Sequence, residues 1–150
     1  MFIVVYAIAK NEEQFAERWM RSMAEADRVV VLDTGSTDRT VPILRAMGAE
    51  VTVGEIKPWR FDAARNCALE LVPEEADICV CTDLDEVFHP GWREALEKAW
   101  TPGTGQARYR YTWSFTPDGK EGVVFWIEKA HARRGYRWTH PVHEVLAYVG

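Results

Sequence analysis

Short apolar runs alternate along this chain with stretches that are apolar on one face only, and no other feature constrains its fold as strongly. Met1 to Ile8 is an apolar run of strand length. Arg28 to Leu32 holds Val-Val-Val-Leu, the continuous pattern of a strand covered on both faces. Between them Phe15, Trp19 and Met23 recur at i, i+4 and i+8 with Ala16 and Met20 beside them, while Glu13, Glu17, Arg18 and Arg21 lie outside that stripe. A helix from about Glu12 follows, and Asn11 with Gln14 three residues on is the pattern of a reciprocal N-terminal cap. Val41, Leu44 and Met47 predict a second helix, capped by Thr37 or Asp38, with Pro42 in its first turn and Gly48 as its stop. A strand over Glu50 to Val53 comes next. Phe61, Ala64, Ala68 and Leu71 predict a third helix with Asp62, Arg65 and Asn66 on another side. The strand Asp77 to Thr82 then runs into Asp83-Leu84-Asp85-Glu86. Helices alternating with strands in this way imply an open, mostly parallel α/β sheet with right-handed crossovers.

The pattern changes after a helix from about Gly91 to Trp100. Ala107, Tyr109, Tyr111, Trp113 and Phe115 alternate with Arg108, Arg110, Thr112 and Ser114, the two-residue period of a strand. Thr116 to Lys120 is a turn sequence and Gly122 to Ile127 reads as the return strand, so an antiparallel, aromatic-rich hairpin follows the α/β part. At 150 residues the chain has the size of one ordinary domain, expected over 1–150 with an α/β part at 1–104 and a hairpin and tail at 105–150. The two parts differ in charge. Residues 1–104 hold 11 Lys+Arg against 19 Asp+Glu, net −8, whereas residues 105–150 hold 7 against 4, net +3.

A hydrophobic content of 47% and a charged content of 27% exclude disorder, collagen and coiled coil. No apolar run approaches the ~20 residues of a membrane span, and the first strand follows Met1 directly, so the expectation is a cytoplasmic protein without a signal peptide or membrane span. A net charge of −5 argues against nucleic acid as a partner. Cys67, Cys79 and Cys81 are odd in number and lie in or beside apolar stretches, as buried thiols do, and Cys79-Val80-Cys81 is a poor zinc spacing.

Open α/β sheets bind ligands at the carboxyl ends of their strands. Here those ends carry Lys10, Asn11 and Glu12, then Asp33, then Asp83 and Asp85. Asp83 and Asp85, at i and i+2 of an extended segment, point to one cavity while Leu84 turns to the core. Two such carboxylates suit a hard divalent ion that also binds substrate phosphates, against the plainer reading of a solvated turn capping the next helix.

Lys10-Asn11-Glu12-Glu13, Asp33-Thr34-Gly35-Ser36-Thr37-Asp38-Arg39-Thr40, Asp62-x-x-Arg65-Asn66 and Asp83-x-Asp85-Glu86 occur in the order and approximate spacing of family 2 glycosyltransferases, which the chain resembles over roughly residues 3 to 100. Within that family it is most similar to short bacterial and phage-type members related to lipopolysaccharide-core glucosyltransferases. The resemblance implies a GT-A, Rossmann-like sheet with helices on both faces, and a metal-dependent, inverting transfer from a nucleoside-diphosphate sugar such as a UDP-sugar. It implies that Asp33 contacts the base, that Ala7, Lys10, Asn11 and Glu12 line the base and ribose pocket, and that Arg65 approaches the base or diphosphate. Asp83 would meet the ribose and the metal-bound phosphates, and Asp85 the Mn²⁺ or Mg²⁺ directly. Residues 133–144 end on His143 and Glu144, similar to a His-Glu pair that closes the site in related enzymes; this implies His143 as third metal ligand and Glu144 as catalytic base beside Asp85. Glu86 and Glu128 are the next candidates for the base, and the family's acceptor-side Glu-Asp motif is absent.

Each role has a structural counterpart. Asp33 reads equally as a turn former, Arg65 as the partner of Asp62 at i, i+3, and Glu144 as the partner of Arg133, Arg134 or Arg137. Trp19 and Trp113 read as core, whereas Trp59 and Trp138 read as acceptor-site aromatics. The acceptor, whether glycan, lipid-linked glycan or protein, is not specified, a homodimer is left open, and little chain follows Val145 to Val149 to build an acceptor lid. The alternative from another class is a noncatalytic nucleotide-sugar or carbohydrate-binding module. A haloacid-dehalogenase-type phosphatase lacks its downstream motifs, and no G-x-G-x-x-G or P-loop supports a dinucleotide or NTP enzyme.

Overall fold

The computed structural model describes residues 1–150. β1 (Ile3–Ala9), β2 (Arg28–Asp33), β3 (Glu50–Val53) and β4 (Ile78–Cys81) form a parallel array in the order β3-β2-β1-β4. The connections are α1 (Glu13–Ser22), α2 (Thr40–Ala46) and α3 (Phe61–Glu70). The continuous apolar strands are explained by what covers them. Ile3, Val5, Ala7 and Ala9 of β1, with Val29 and Val31 of β2 and Ile78 and Val80 of β4, pack with Trp19, Met20, Met23 and Leu44 from α1, α2 and the turns beyond. The alternate residues Val4, Tyr6, Val30, Leu32, Cys79 and Cys81 pack with Ala68 and Leu69 of α3. Helices therefore cover both faces, and the chain reverses direction across the sheet between β1 and β4, where α/β folds place their ligands.

The later strands complete the same sheet. After α4 (Trp92–Ala99), β5 (Gln106–Thr112) and β6 (Val124–His131) form an antiparallel pair, and β6 joins β4 antiparallel, giving the order β3-β2-β1-β4-β6-β5. β5 is shorter than its alternation suggests: Trp113 and Phe115 lie beyond it, and Trp113, expected in the core, is 66% exposed. A separate hairpin of β7 (Tyr136–Thr139) and β8 (Val145–Tyr148) lies against α3 through the buried Trp138. No helix is long and apolar enough to cross a membrane.

Two local expectations change. Asn11 adopts a left-handed backbone (φ 51), and its side chain accepts from the Thr37 amide at 2.8 Å instead of capping α1. Asp38 receives the Thr40 amide in the first turn of α2, as expected of a cap, although Arg39 is the boundary residue. Cys79 and Cys81 are buried and Cys67 is exposed.

Candidate functional site

The first two motif loops are built against each other. Asn11 N–H donates to Ser36 Oγ, Glu12 N–H to Thr40 Oγ1, and Arg39 N–H to a Glu13 carboxylate oxygen at 3.1 Å. Asp33, 1% exposed, accepts from the amides of Gly35 and Ser36 at 3.1 and 2.8 Å and from the Ser36 hydroxyl. Its carboxylate thus shapes the turn, while the next residue, Thr34, faces the cleft. Gly35 sits at φ 127, a conformation that a side chain would strain.

The cleft, of about 280 Å³, opens at the carboxyl ends of β1, β2 and β4. Ile8, Ala9, Lys10 and Glu12 come from β1 and its loop, Thr34 from the end of β2, Trp59, Phe61 and Arg65 from the approach to α3 and α3 itself, and Asp83 and Asp85 from the end of β4. Ala7 stands one residue too deep; it is fully buried in the core, and Ile8 and Ala9 form the wall. Trp59 and Phe61 pack edge-to-face with centroids 5.2 Å apart, and Trp59 is 46% exposed in the mouth.

Arg65 is the hub of this end of the sheet. Its guanidinium is buried, donates at 2.8 Å both to Asp83 Oδ1 and to Glu144 Oε1, reaches Cys81 Sγ at 3.3 Å, and lies 5.2 Å over the Trp138 ring. Asp62, the anticipated partner of Arg65, instead pairs with Arg60 at 2.9 Å, because Asp62 Oδ atoms turn to the start of α3. Glu144 is paired with Arg65 and not with Arg133, Arg134 or Arg137, since the β7–β8 turn folds back over α3. Its Oε2 has no partner, and Glu144 stands behind Arg65 without lining the cleft.

The acidic turn is held from below. Glu86, 8% exposed, accepts from the Asp83 amide at 2.7 Å and from Lys129 Nζ of β6 at 3.0 Å, and that ammonium also stands 3.6 Å from Asp83 Oδ2. Glu86 is therefore a brace rather than a base, and Glu128 pairs with Arg108. Burial alone would raise the Asp83 pKa, but Lys129 and Arg65 outweigh it and hold the carboxyl below its ordinary value. Asp85 is exposed and its side chain has no hydrogen-bond or ion-pair partner. Glu12 is the most perturbed acid of the cleft: burial, and then the charges of Asp85 and Asp83, push it up to about 7.

This donor set fits a hard divalent cation of the kind that keeps water and substrate oxygens in its shell. Asp85 offers a free carboxylate beside Asp83, and the negative charge of these two, which adds to burial in raising Glu12, is charge that a cation would neutralise. No three His, Cys, Asp or Glu side chains are grouped to enclose an ion by themselves. His143, expected as third ligand, is exposed at φ 55 in the β7–β8 turn and belongs to no such group with Asp83 and Asp85. Trp138 is core and not an acceptor-site aromatic: it is 4% exposed, and its indole N–H donates to Tyr6 Oη at 2.8 Å.

The family model described as Glycosyl transferase family 2 matches residues 4–146. The chain belongs to glycosyl transferase family 2. An uncharacterized glycosyltransferase from Rickettsia bellii is 45% identical over 96 residues, which are 63% of this chain and 31% of the relative. The family 2 chain thus spans about a third of that relative's length. Among solved structures, glucosyl-3-phosphoglycerate synthase from Mycobacterium tuberculosis, in complex with Mn²⁺, UDP and glucosyl-3-phosphoglycerate, superposes with a TM-score of 0.57 at 27% identity, over 69% of this chain and 42% of that one. A mannosyltransferase from Pyrobaculum calidifontis, in complex with GDP-Man and Mn²⁺, shares the fold at TM-score 0.58 and 22% identity, over 78% and 36%. The GT-A fold expected of the family 2 motifs is therefore the observed one, whereas the narrower kinship with lipopolysaccharide-core enzymes rests on the motif residues alone.

Lys129 and Thr34 were not legible as site residues. A lysine amid Phe125, Trp126, Ile127, Ala130 and His131 is the one signal that pointed to a buried partner for Lys129.

Proposed function

We propose that this chain transfers a glycosyl group from a nucleoside-diphosphate sugar, a UDP-sugar in the first instance, to an acceptor hydroxyl with inversion at the anomeric carbon. The observation that carries the reading is the convergence of Asp83, Asp85, Glu12 and Arg65 on one cleft at the switch point of a family 2 sheet. The M. tuberculosis synthase, which binds UDP and Mn²⁺, supports the choice of donor and metal. Asp85 and Asp83 are the residues that would hold Mn²⁺ or Mg²⁺, and such an ion, when bound, neutralises diphosphate charge and so eases departure of the nucleotide.

The residues divide the remaining work. Trp59, Ile8, Ala9 and Thr34 offer the apolar, planar half of the cleft to the base, and Asp33 acts on it through the turn that presents Thr34. Lys10 and Glu12 flank the ribose end, and Asn11 fixes their loop. Arg65, held in place by Glu144 and the Trp138 ring, presents fixed positive charge to the departing diphosphate. Glu144 is the proposed base: as the acceptor oxygen attacks and the anomeric C–O bond to phosphate breaks, the acceptor proton passes to the unpartnered Oε2.

Calorimetry with UDP and Mn²⁺ tests the binding step. Wild type binds only with the metal, and Asp85→Ala loses that binding without losing stability, because its side chain has no protein partner; absence of binding to wild type refutes the reading. Glu144→Gln keeps an oxygen for Arg65 but cannot take a proton, so kcat falls about 10²-fold or more while UDP affinity holds. Unchanged turnover would leave Glu144 with the positioning of Arg65 alone. A noncatalytic nucleotide-sugar-binding module is the second reading, favoured by Glu144 standing behind Arg65 and outside the cleft; it predicts UDP binding with neither donor hydrolysis nor transfer.

A further inference from the structure

A second concavity shares no lining residue with the cleft. α4 has no fully buried residue, and beneath it a groove of about 470 Å³ runs along the end of the sheet. Val80, Ala107 and Ala130 line it from β4, β5 and β6, and Trp92, Ala95 and Leu96 from α4. The volume is that of a small-molecule site, for which the handful of polar groups decides the ligand. Here the basic groups are Arg108, Arg110 and His89, and no carboxylate lines the groove, although the whole chain is net −5. Tyr109 lines the groove with its ring, while its hydroxyl is buried in the interior beside Glu86, Cys81 and Asp83 and does not open to the groove.

We propose that this groove binds a single-chain alkyl phosphate, with the alkyl chain under α4 and the phosphate at the mouth against Arg108 and Arg110. The apolar walls match the chain, and two guanidinium groups match a phosphate better than any neutral head. Arg108 pairs with Glu128 and Arg110 with Glu121, but these arginine side chains are 63% and 53% exposed, and exposed pairs yield readily to a dianion. The inference is independent of the donor reading, since the two concavities are lined by different residues.

The test is calorimetry of the full chain with octyl and decyl phosphate below their micelle concentrations. One molecule binds per chain, and the two extra methylenes of decyl phosphate tighten binding about fifteenfold, near fourfold for each. Ala95→Trp fills the groove and abolishes binding, while metal-dependent UDP binding persists wherever wild type shows it. The surface double variant Arg108→Gln/Arg110→Gln, which does not touch the core, weakens decyl phosphate about tenfold and leaves decanol unchanged. The inference is overturned if wild type shows no saturable binding of decyl phosphate. It is equally overturned if affinity does not depend on chain length, or if neither variant alters it. A monomer–dimer equilibrium abolished by Ala95→Trp, with no alkyl phosphate bound by wild type, would assign the groove to a second copy of the chain instead.

Discussion

Replacing Arg65 by Met removes the cation on which the acidic end of the sheet is organised while keeping the length of the side chain. Glu144 loses its sole partner and, with a side chain only 15% exposed, is left as an uncompensated carboxylate; breaking a fully buried pair in this way costs about 3 to 5 kcal/mol, so a partly solvated one costs about 2. Asp83 loses less, because it is 38% exposed and retains Lys129 at 3.6 Å. The Trp138 ring loses a cation at 5.2 Å, which contributes about 0.5 to 1 kcal/mol. The sum is a loss of about 3 kcal/mol at neutral pH. Its pH dependence is the sharper test. Arg65 and Lys129 hold the Asp83 carboxyl below its ordinary value, so the stability that pairing contributes is present above the unfolded pKa and is lost as pH falls through the folded one; the gap between wild type and variant therefore narrows only in acid and is full at neutral pH. Urea unfolding of both proteins between pH 4 and 8, followed by tryptophan fluorescence, measures this. A deficit under about 0.5 kcal/mol at every pH would refute the claim that Arg65 holds the β7–β8 hairpin to the sheet.

Two further outcomes follow from the buried polar contacts. His131 is fully buried, and its Nδ1–H donates to the Ala132 carbonyl, so Nε2 accepts from the Tyr6 hydroxyl at 2.8 Å. Burial depresses its pKa to about 4, which means that the neutral ring contributes stability above pH ~6.5 and that this is lost as pH falls towards 4, by up to about 3 kcal/mol; acid unfolding of wild type against His131→Gln reads the difference as a flatter profile in the variant. Asn66 brackets Trp138, donating to its carbonyl at 2.9 Å and accepting from its amide at 2.8 Å. Asn66→Ala orphans both buried groups at a cost of about 2 kcal/mol, and hydrogen exchange should show protection lost over 136–148 but kept in β1 and β4.

The parallel sheet was legible because its signal is local. A strand buried on both faces shows a continuous apolar run, and each of β1, β2 and β4 does, with alternate residues going to opposite cores as the period of two requires. The placement of β5 and β6 was not legible. An aromatic strand with alternating arginines reads as a free hairpin, and only the antiparallel register of Cys79 with His131 and Val80 with Ala130 shows that it extends the main sheet. The same limit explains Trp113 and Trp138. Both follow an alternating pattern, but Trp113 lies past the end of β5 and is exposed, whereas Trp138 is locked inward by Asn66 and Tyr6.

The site divides along the same line. The Asp83 and Asp85 pair could be placed from spacing and strand position, since both properties are local to one strand end. Arg65 could not, because on α3 it has Asp62 at i−3 and nothing local distinguishes that pair from the real one. The choice is made by topology: α3 lies on the opposite face from α1 and α2, which brings Arg65 beneath the end of β4 and against the returning hairpin, where a cation meets Asp83 and Glu144 together. Asp62 stays at the start of the helix with Arg60. A buried guanidinium needs carboxylates that are themselves withdrawn from water, and only the tertiary arrangement supplies them. The motif Asp62-x-x-Arg65-Asn66 accordingly encodes three separate contacts, one to the loop before α3, one to the acidic turn and one to the Trp138 backbone, and its spacing records the geometry of α3 rather than an interaction among its own members.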